Sequence, residues 1–264
     1  TTEEIQACRD GYIYVHDMSA RRDTMNCCLF DVQNVLSGGF EMGNIWYNEP
    51  KTLDVAFDVI GDIVLSAASQ QYGGFTVPSV DLILEPYARK SYERDLKKYI
   101  DLGVPQDKAE EVAYKDVVKE MEQGFQGWEY KFNTVASSRG DYPFITVTAG
   151  TGTGRFAKLA TMSMLNVRRE GQGKDGFKKP VLFPKIVFLY DENLHGPGKP
   201  LEDVFEVGVK CSAKTMYPDW LSLTGEGYVA SMYKKYGKIV SPMGCRAFLS
   251  PWYERGGMHP ADDK

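Results

Sequence analysis

The sequence predicts an α/β fold built on a largely parallel sheet. Three observations carry that expectation. Short runs rich in β-branched and aromatic residues alternate with stretches of helical period. Glycine and proline punctuate the transitions between them. Over 264 residues, 43% are hydrophobic and 25% charged, the balance of a globular chain with a sizeable core.

Taken in order, Gly11, Tyr12, Ile13, Tyr14, Val15 and His16 predict a short strand, and 27–32 a second. Over 51–69, Leu53, Ala56, Phe57, Ile60, Ile63, Val64 and Ala67 recur at a 3.6-residue period, which predicts a helix with one buried face. Gly73 and Gly74 end it and open a loop. Two long helices are expected at 78–100 and 105–132. Gly103 stands between them and Pro105 starts the second. Their short connection predicts an antiparallel hairpin whose charged faces suit either solvent or a second subunit. A strand at 144–148 precedes a glycine-spaced turn, Gly150, Gly152 and Gly154, and a helix at 155–168. The polar, glycine-rich segment 168–180 is a loop. A buried strand is expected at 181–190, with Pro184 marking a bulge or an edge. A helix at 200–216 follows, and a short strand at 237–240 leads into a turn carrying Cys245. No repeat or low-complexity tract interrupts this order, so 1–264 reads as one domain.

Composition narrows the function. A net charge of −5 and a pI of about 5.4 argue against bulk nucleic-acid binding. There is no apolar run of membrane-spanning length. Thr1, Thr2, Glu3 and Glu4 do not form a targeting segment, so a cytoplasmic protein is expected. Five cysteines without a CxxC pair predict neither a disulfide framework nor a structural zinc site.

Three features carry candidate chemistry. Cys27 and Cys28 are neighbours on an expected strand, so their side chains take opposite faces and one alone can look into a cavity. A bridge between them would be strained. Cys245 follows Gly244 and Pro242 on a tight turn able to project a thiol. Buried core thiols are the plain alternative for all three. The amides of Gly150, Gly152 and Gly154 lie between a strand and a helix and suit a phosphate or carboxylate, although neither the dinucleotide fingerprint nor a P-loop is present. Ser138 and Arg139 lie on a nearby loop able to meet a phosphate or a base. With three histidines and no Gly-x-Ser-x-Gly elbow, triad hydrolysis is a poor reading.

Four segments shift these odds: 12–17, 24–29 with Asn26, Cys27 and Cys28, 69–76, and 241–250 with Ser241, Pro242, Met243, Gly244, Cys245 and Arg246. Together with 143–148 and 216–219, in this order, they give a chain that resembles the anaerobic, class III glycyl-radical ribonucleoside-triphosphate reductases over nearly its whole length. The resemblance implies half of a ten-stranded α/β barrel with a finger loop inside it. It implies anaerobic reduction of ribonucleoside triphosphates to 2′-deoxyribonucleotides. Cys245 matches the thiyl-radical cysteine. Cys27 best matches the second active-site cysteine, with Cys28 left open, and Asn26 stands beside them as a substrate contact.

The hairpin at 78–132 resembles the dimer and effector region, and the loop with Ser138 and Arg139 resembles a specificity loop. The implied partners are ATP and deoxynucleotide effectors, a radical-SAM activating enzyme and a second copy of the chain. Formate or a thioredoxin-like protein is the implied reductant. The glycyl radical and a zinc module belong, on this resemblance, to a C-terminal segment that the sequence does not include, so the sequence is expected to be a piece of a longer protein and inactive alone. A glycyl-radical lyase of the pyruvate formate-lyase kind is an alternative, but such lyases place two adjacent cysteines on the finger, where only Cys245 stands here. A non-catalytic nucleotide-binding or oligomerisation module is the other.

Overall fold

The computed structural model describes residues 2–10, 27–71, 73–136, 142, 144–236 and 241–242. The strands expected at 11–16 and 237–240 lie outside them. The element order is α1 (Thr2–Arg9), β1 (Cys28–Leu29), α2 (Val32–Leu36), β2 (Phe40–Met42), β3 (Ile45–Tyr47), α3 (Leu53–Ala68), β4 (Phe75–Val77), α4 (Val80–Asp101), α5 (Gln106–Thr134), β5 (Ile145–Ala149), α6 (Arg155–Glu170), β6 (Lys185–Tyr190), α7 (Glu192–His195), α8 (Glu202–Thr215), β7 (Asp219–Ser222) and α9 (Tyr228–Tyr236).

Five strands form one sheet in the order β1-β4-β5-β6-β7, and every neighbouring pair is parallel. β2 and β3 make a separate antiparallel hairpin. The long helices fall where their periodicity places them. Three expectations change. The strand expected at 27–32 stops after Leu29, because Asp31 caps α2 by accepting a hydrogen bond from the Asn34 amide at 3.0 Å. The stretch read as loop after Gly74 contains β4, a three-residue strand buried between β1 and β5. β6 begins at Lys185, leaving Pro184 just outside the ladder to which it has no N–H to give.

One sheet face packs on helices. Phe75 and Val77, Ile145, Val147 and Ala149, and Ile186 and Phe188 join buried residues of α3, α4, α5, α6 and α8 in a single core. α5 lies close against α3. Any side chain at Gly124 would overlap the Phe57 ring, and Trp128 Nε1 donates to the Phe57 carbonyl at 2.9 Å. The end of α6 is tied down by a buried ion pair. Arg168 Nε lies 2.6 Å from Glu129 Oε1, its Nη2 donates to the Pro184 carbonyl at 2.7 Å, and the Tyr217 ring lies 5.2 Å from its Cζ.

Candidate active site

Alternation along each strand sends the remaining side chains to the second sheet face. By register these are Leu29, Thr76, Thr146 and Thr148, Lys185, Val187 and Leu189, and Asp219 and Leu221. Thr76, Thr146 and Thr148 are all buried, and Val187 and Leu189 are buried apart from the main core. On β4, β5 and β6 the helical face is apolar apart from Tyr190 at the end of β6, whereas the second face carries a patch of hydroxyls.

The paired cysteines have different neighbours. Cys28 is in register with Phe75, a core residue, and packs against the helical side. Cys27 lies one position before β1. Gly74 holds both: its amide donates to Cys27 Sγ at 3.2 Å, and its carbonyl accepts from the Cys28 amide at 3.0 Å. Burial, followed by the neighbouring Cys27, pushes the Cys28 thiol up to about 11, against a hydrogen bond with Gln71. No disulfide involves Cys27, Cys28 or Cys211.

At the far end of the central strand, Thr148 Oγ1 accepts a hydrogen bond from the Ser79 amide at 2.8 Å and lies 3.0 Å from Ser241 Oγ. Ser79 caps α4 in the left-handed region, φ 52°, ψ 51°, a conformation that costs a non-glycine residue about 1–3 kcal/mol. Ser241 is 3% exposed and Thr148 fully buried. This contact seats Ser241, four positions before Cys245, on the threonine face.

The neighbouring glycine turn is not open at two of its amides. Gly150 and Gly152 donate to Asp81 Oδ2 at 3.1 and 2.9 Å. Asp81 is fully buried, its Oδ1 has no hydrogen-bond partner, and burial drives its carboxyl above the ordinary range despite those amides. The Gly150 carbonyl lies 2.7 Å from His195 Nε2, whose Nδ1 accepts from the Asp191 amide at 3.0 Å. This places the ring proton on Nε2, in line with burial that lowers the His195 pKa. Gly150 adopts φ +126°, which favours glycine, and a Cβ there would press on Leu189 backbone. The phosphate-cradle expectation therefore meets a turn whose Gly150 and Gly152 amides are filled by a side chain of the same chain, while any side chain at Gly154 would collide with Glu85.

Comparison with protein families matches residues 1–261 to the anaerobic ribonucleoside-triphosphate reductases. The chain belongs to that family. The enzyme of this name from Enterobacteria phage T4 is 34% identical, over 98% of this chain and 42% of the relative. That from Escherichia coli (strain K12) is 35% identical, over 96% of this chain and 35% of the relative. The chain thus spans less than half the length of these reductases. The crystal structure of the anaerobic ribonucleotide reductase from Thermotoga maritima in complex with dATP and CTP superposes with a TM-score of 0.58 at 19% identity, over 83% of this chain and 36% of that one. The five-stranded parallel sheet is accordingly the half-barrel expected of a reductase fold.

Of the sequence-derived site residues, the fold places Cys27 Sγ at the Gly74 amide and Cys28 against the core. Asn26, Ser138, Arg139 and Cys245 lie outside the described residues. Among the described residues no three His, Cys, Asp or Glu side chains gather as metal ligands, and no helix is long and apolar enough to cross a membrane. Sequence reading missed Asp81, Thr148 and His195. The alternation Ile145, Thr146, Val147, Thr148 is the signal that finds Thr148, since hydroxyls at every second strand position mark one polar face. Asp81 and His195 leave no local signal.

Proposed function

We propose that the protein carrying this chain reduces ribonucleoside triphosphates to deoxyribonucleoside triphosphates by thiyl-radical chemistry, with Cys245 as the hydrogen-abstracting thiol and Cys27 as the reducing one. The observation that supports this reading is the pairing of Cys28 with the core residue Phe75, because strand alternation continued by one residue turns Cys27 towards the face on which Thr148 meets Ser241. Cys27 is level with Phe144, two strands and four residues from Thr148, a separation of roughly 16 Å at ~3.3 Å per residue and ~4.8 Å per strand. The four residues from Ser241 to Cys245 reach at most about 14 Å. The two sulfurs can therefore approach from opposite ends of the sheet with a ribose between them.

The family's glycyl radical supplies the unpaired electron on Cys245. The Cys245 sulfur takes the 3′ hydrogen of the ribose: a C–H bond breaks, an S–H bond forms, and the unpaired electron passes to C3′. The 2′-hydroxyl leaves with one added proton as water. Two electrons and a second proton then reduce the sugar. The Cys27 thiol, together with formate or a thioredoxin-like reductant, supplies them. Cys245 finally returns its hydrogen to C3′. The buried threonine face suits this chemistry because it is shielded from bulk water.

Asn26 is assigned as a substrate contact beside Cys27, and Ser138 and Arg139 as effector contacts. The Thermotoga maritima relative with dATP and CTP supports nucleotides as substrate and effector here. The α4–α5 hairpin is assigned to dimer and effector contacts, and a radical-SAM enzyme to activation. Cys27→Ser in the activated, full-length protein tests the division of roles. The expected result is loss of deoxynucleotide formation with exchange at the 3′ position retained. Deoxynucleotide formation at the unsubstituted rate overturns it.

A further inference from the structure

We propose that Thr148 is a positioning residue for the segment bearing Cys245, its hydroxyl locking Ser241 to the rigid top of the sheet; this rests on the reductase reading above. A threonine hydroxyl has one proton and two lone pairs. The Ser79 amide takes one lone pair at 2.8 Å, and Ser241 Oγ at 3.0 Å takes the proton or shares the other lone pair. The hydroxyl is thereby committed to two directed contacts, and it is fully buried, so water does not compete for them.

The anchor is stiff on its inner side. Thr148 stands on β5, the middle strand of five. Ser79 is held at the start of the 22-residue helix α4, its carbonyl accepting from the Leu82 and Ile83 amides at 3.0 and 3.1 Å. On the outer side Pro242 follows Ser241 directly and restricts the backbone φ there. Only Met243 and Gly244 then separate the anchor from Cys245. A misplacement of 1 Å at a reacting atom can cost on the order of 100-fold in rate. Thr148 thus acts on the chemistry through Ser241 and touches no substrate atom itself.

Three substitutions in the full-length protein separate positioning from stability. Ser241→Ala removes the contact and leaves the Thr148–Ser79 bond; Thr148→Val removes both; Thr148→Ser keeps both. The expected result is a fall in kcat of about 10-fold or more for Ser241→Ala, with KM and Tm little changed, a fall in both kcat and Tm for Thr148→Val, and recovery of kcat in Thr148→Ser. Cys245 alkylation by iodoacetamide in the unactivated protein, read by mass spectrometry, needs no radical. Its rate is expected to rise several-fold in Ser241→Ala and to return to that of the unsubstituted protein in Thr148→Ser. A Ser241→Ala protein with unchanged kcat and unchanged Cys245 alkylation overturns the proposal. If changed alkylation accompanies an active Cys245→Ser protein, the anchor stands and the reductase reading falls instead.

Discussion

Cys27 and Cys28 are adjacent in the chain but meet different surroundings: Cys28 is in register with Phe75 and packs against the core, while Cys27 Sγ receives the Gly74 amide at 3.2 Å. The consequence is chemical. The Cys28 thiol, raised from 9.0 to about 11 by burial and by Cys27, stays protonated at neutral pH. Because its folded pKa exceeds the unfolded one, the stability it contributes is whole below pH 9 and is lost as pH rises from 9 towards 11. Alkylation followed by mass spectrometry between pH 7 and 10 should show Cys28 labelling rising throughout, with no plateau in that range. A plateau near pH 8 would contradict the assignment of Cys28 to the apolar side.

Asp81 is the second titrating group with a clear sign. Its carboxyl is raised above 3.8 by burial, so protonation accompanies folding and stability declines as pH climbs from 3.8 to the folded value. Each unit of raised pKa corresponds to about 1.4 kcal/mol of that decline. Asp81→Asn keeps an acceptor for the Gly150 and Gly152 amides and removes the titration. Urea denaturation from pH 4 to pH 8 should show the asparagine variant gaining on the unsubstituted protein as pH rises. The opposite trend would mean that the ionised carboxylate is the stabilising form.

Breaking the Arg168–Glu129 pair should be costly. Both side chains are buried, and Gln172 Nε2 adds a 2.6 Å hydrogen bond to the Glu129 carboxylate. Glu129→Gln strands the guanidinium in the core, a loss of about 3–5 kcal/mol. Calorimetry should register a fall in melting temperature on the order of 10 °C. A change of less than about 2 °C would show that the pair contributes little.

The long helices were legible from local signals: the apolar period over 51–69 gives α3, and Gly103 with Pro105 divides α4 from α5, whereas the short α2 and α9 were not expected. The strand at Ile145–Ala149 was equally plain. β4 was not, because three residues after two glycines carry too little pattern to announce a strand whose existence depends on β1 and β5 at its sides. β7 is a four-residue strand of the same kind at the sheet's other edge.

By itself the sequence determined that two thiol sites lie far apart on an α/β chain, and that two neighbouring cysteines on a strand would take opposite faces. Only the tertiary structure shows that Cys28 is the one packed against the core. Strand alternation is a local rule, but it becomes an assignment of faces once the pairing of Cys28 with Phe75 says which side the helices cover. Likewise, the glycine turn is legible locally as a set of donors, but whether those donors are open depends on a carboxylate 69 residues away in the chain, Asp81, that folding brings onto them.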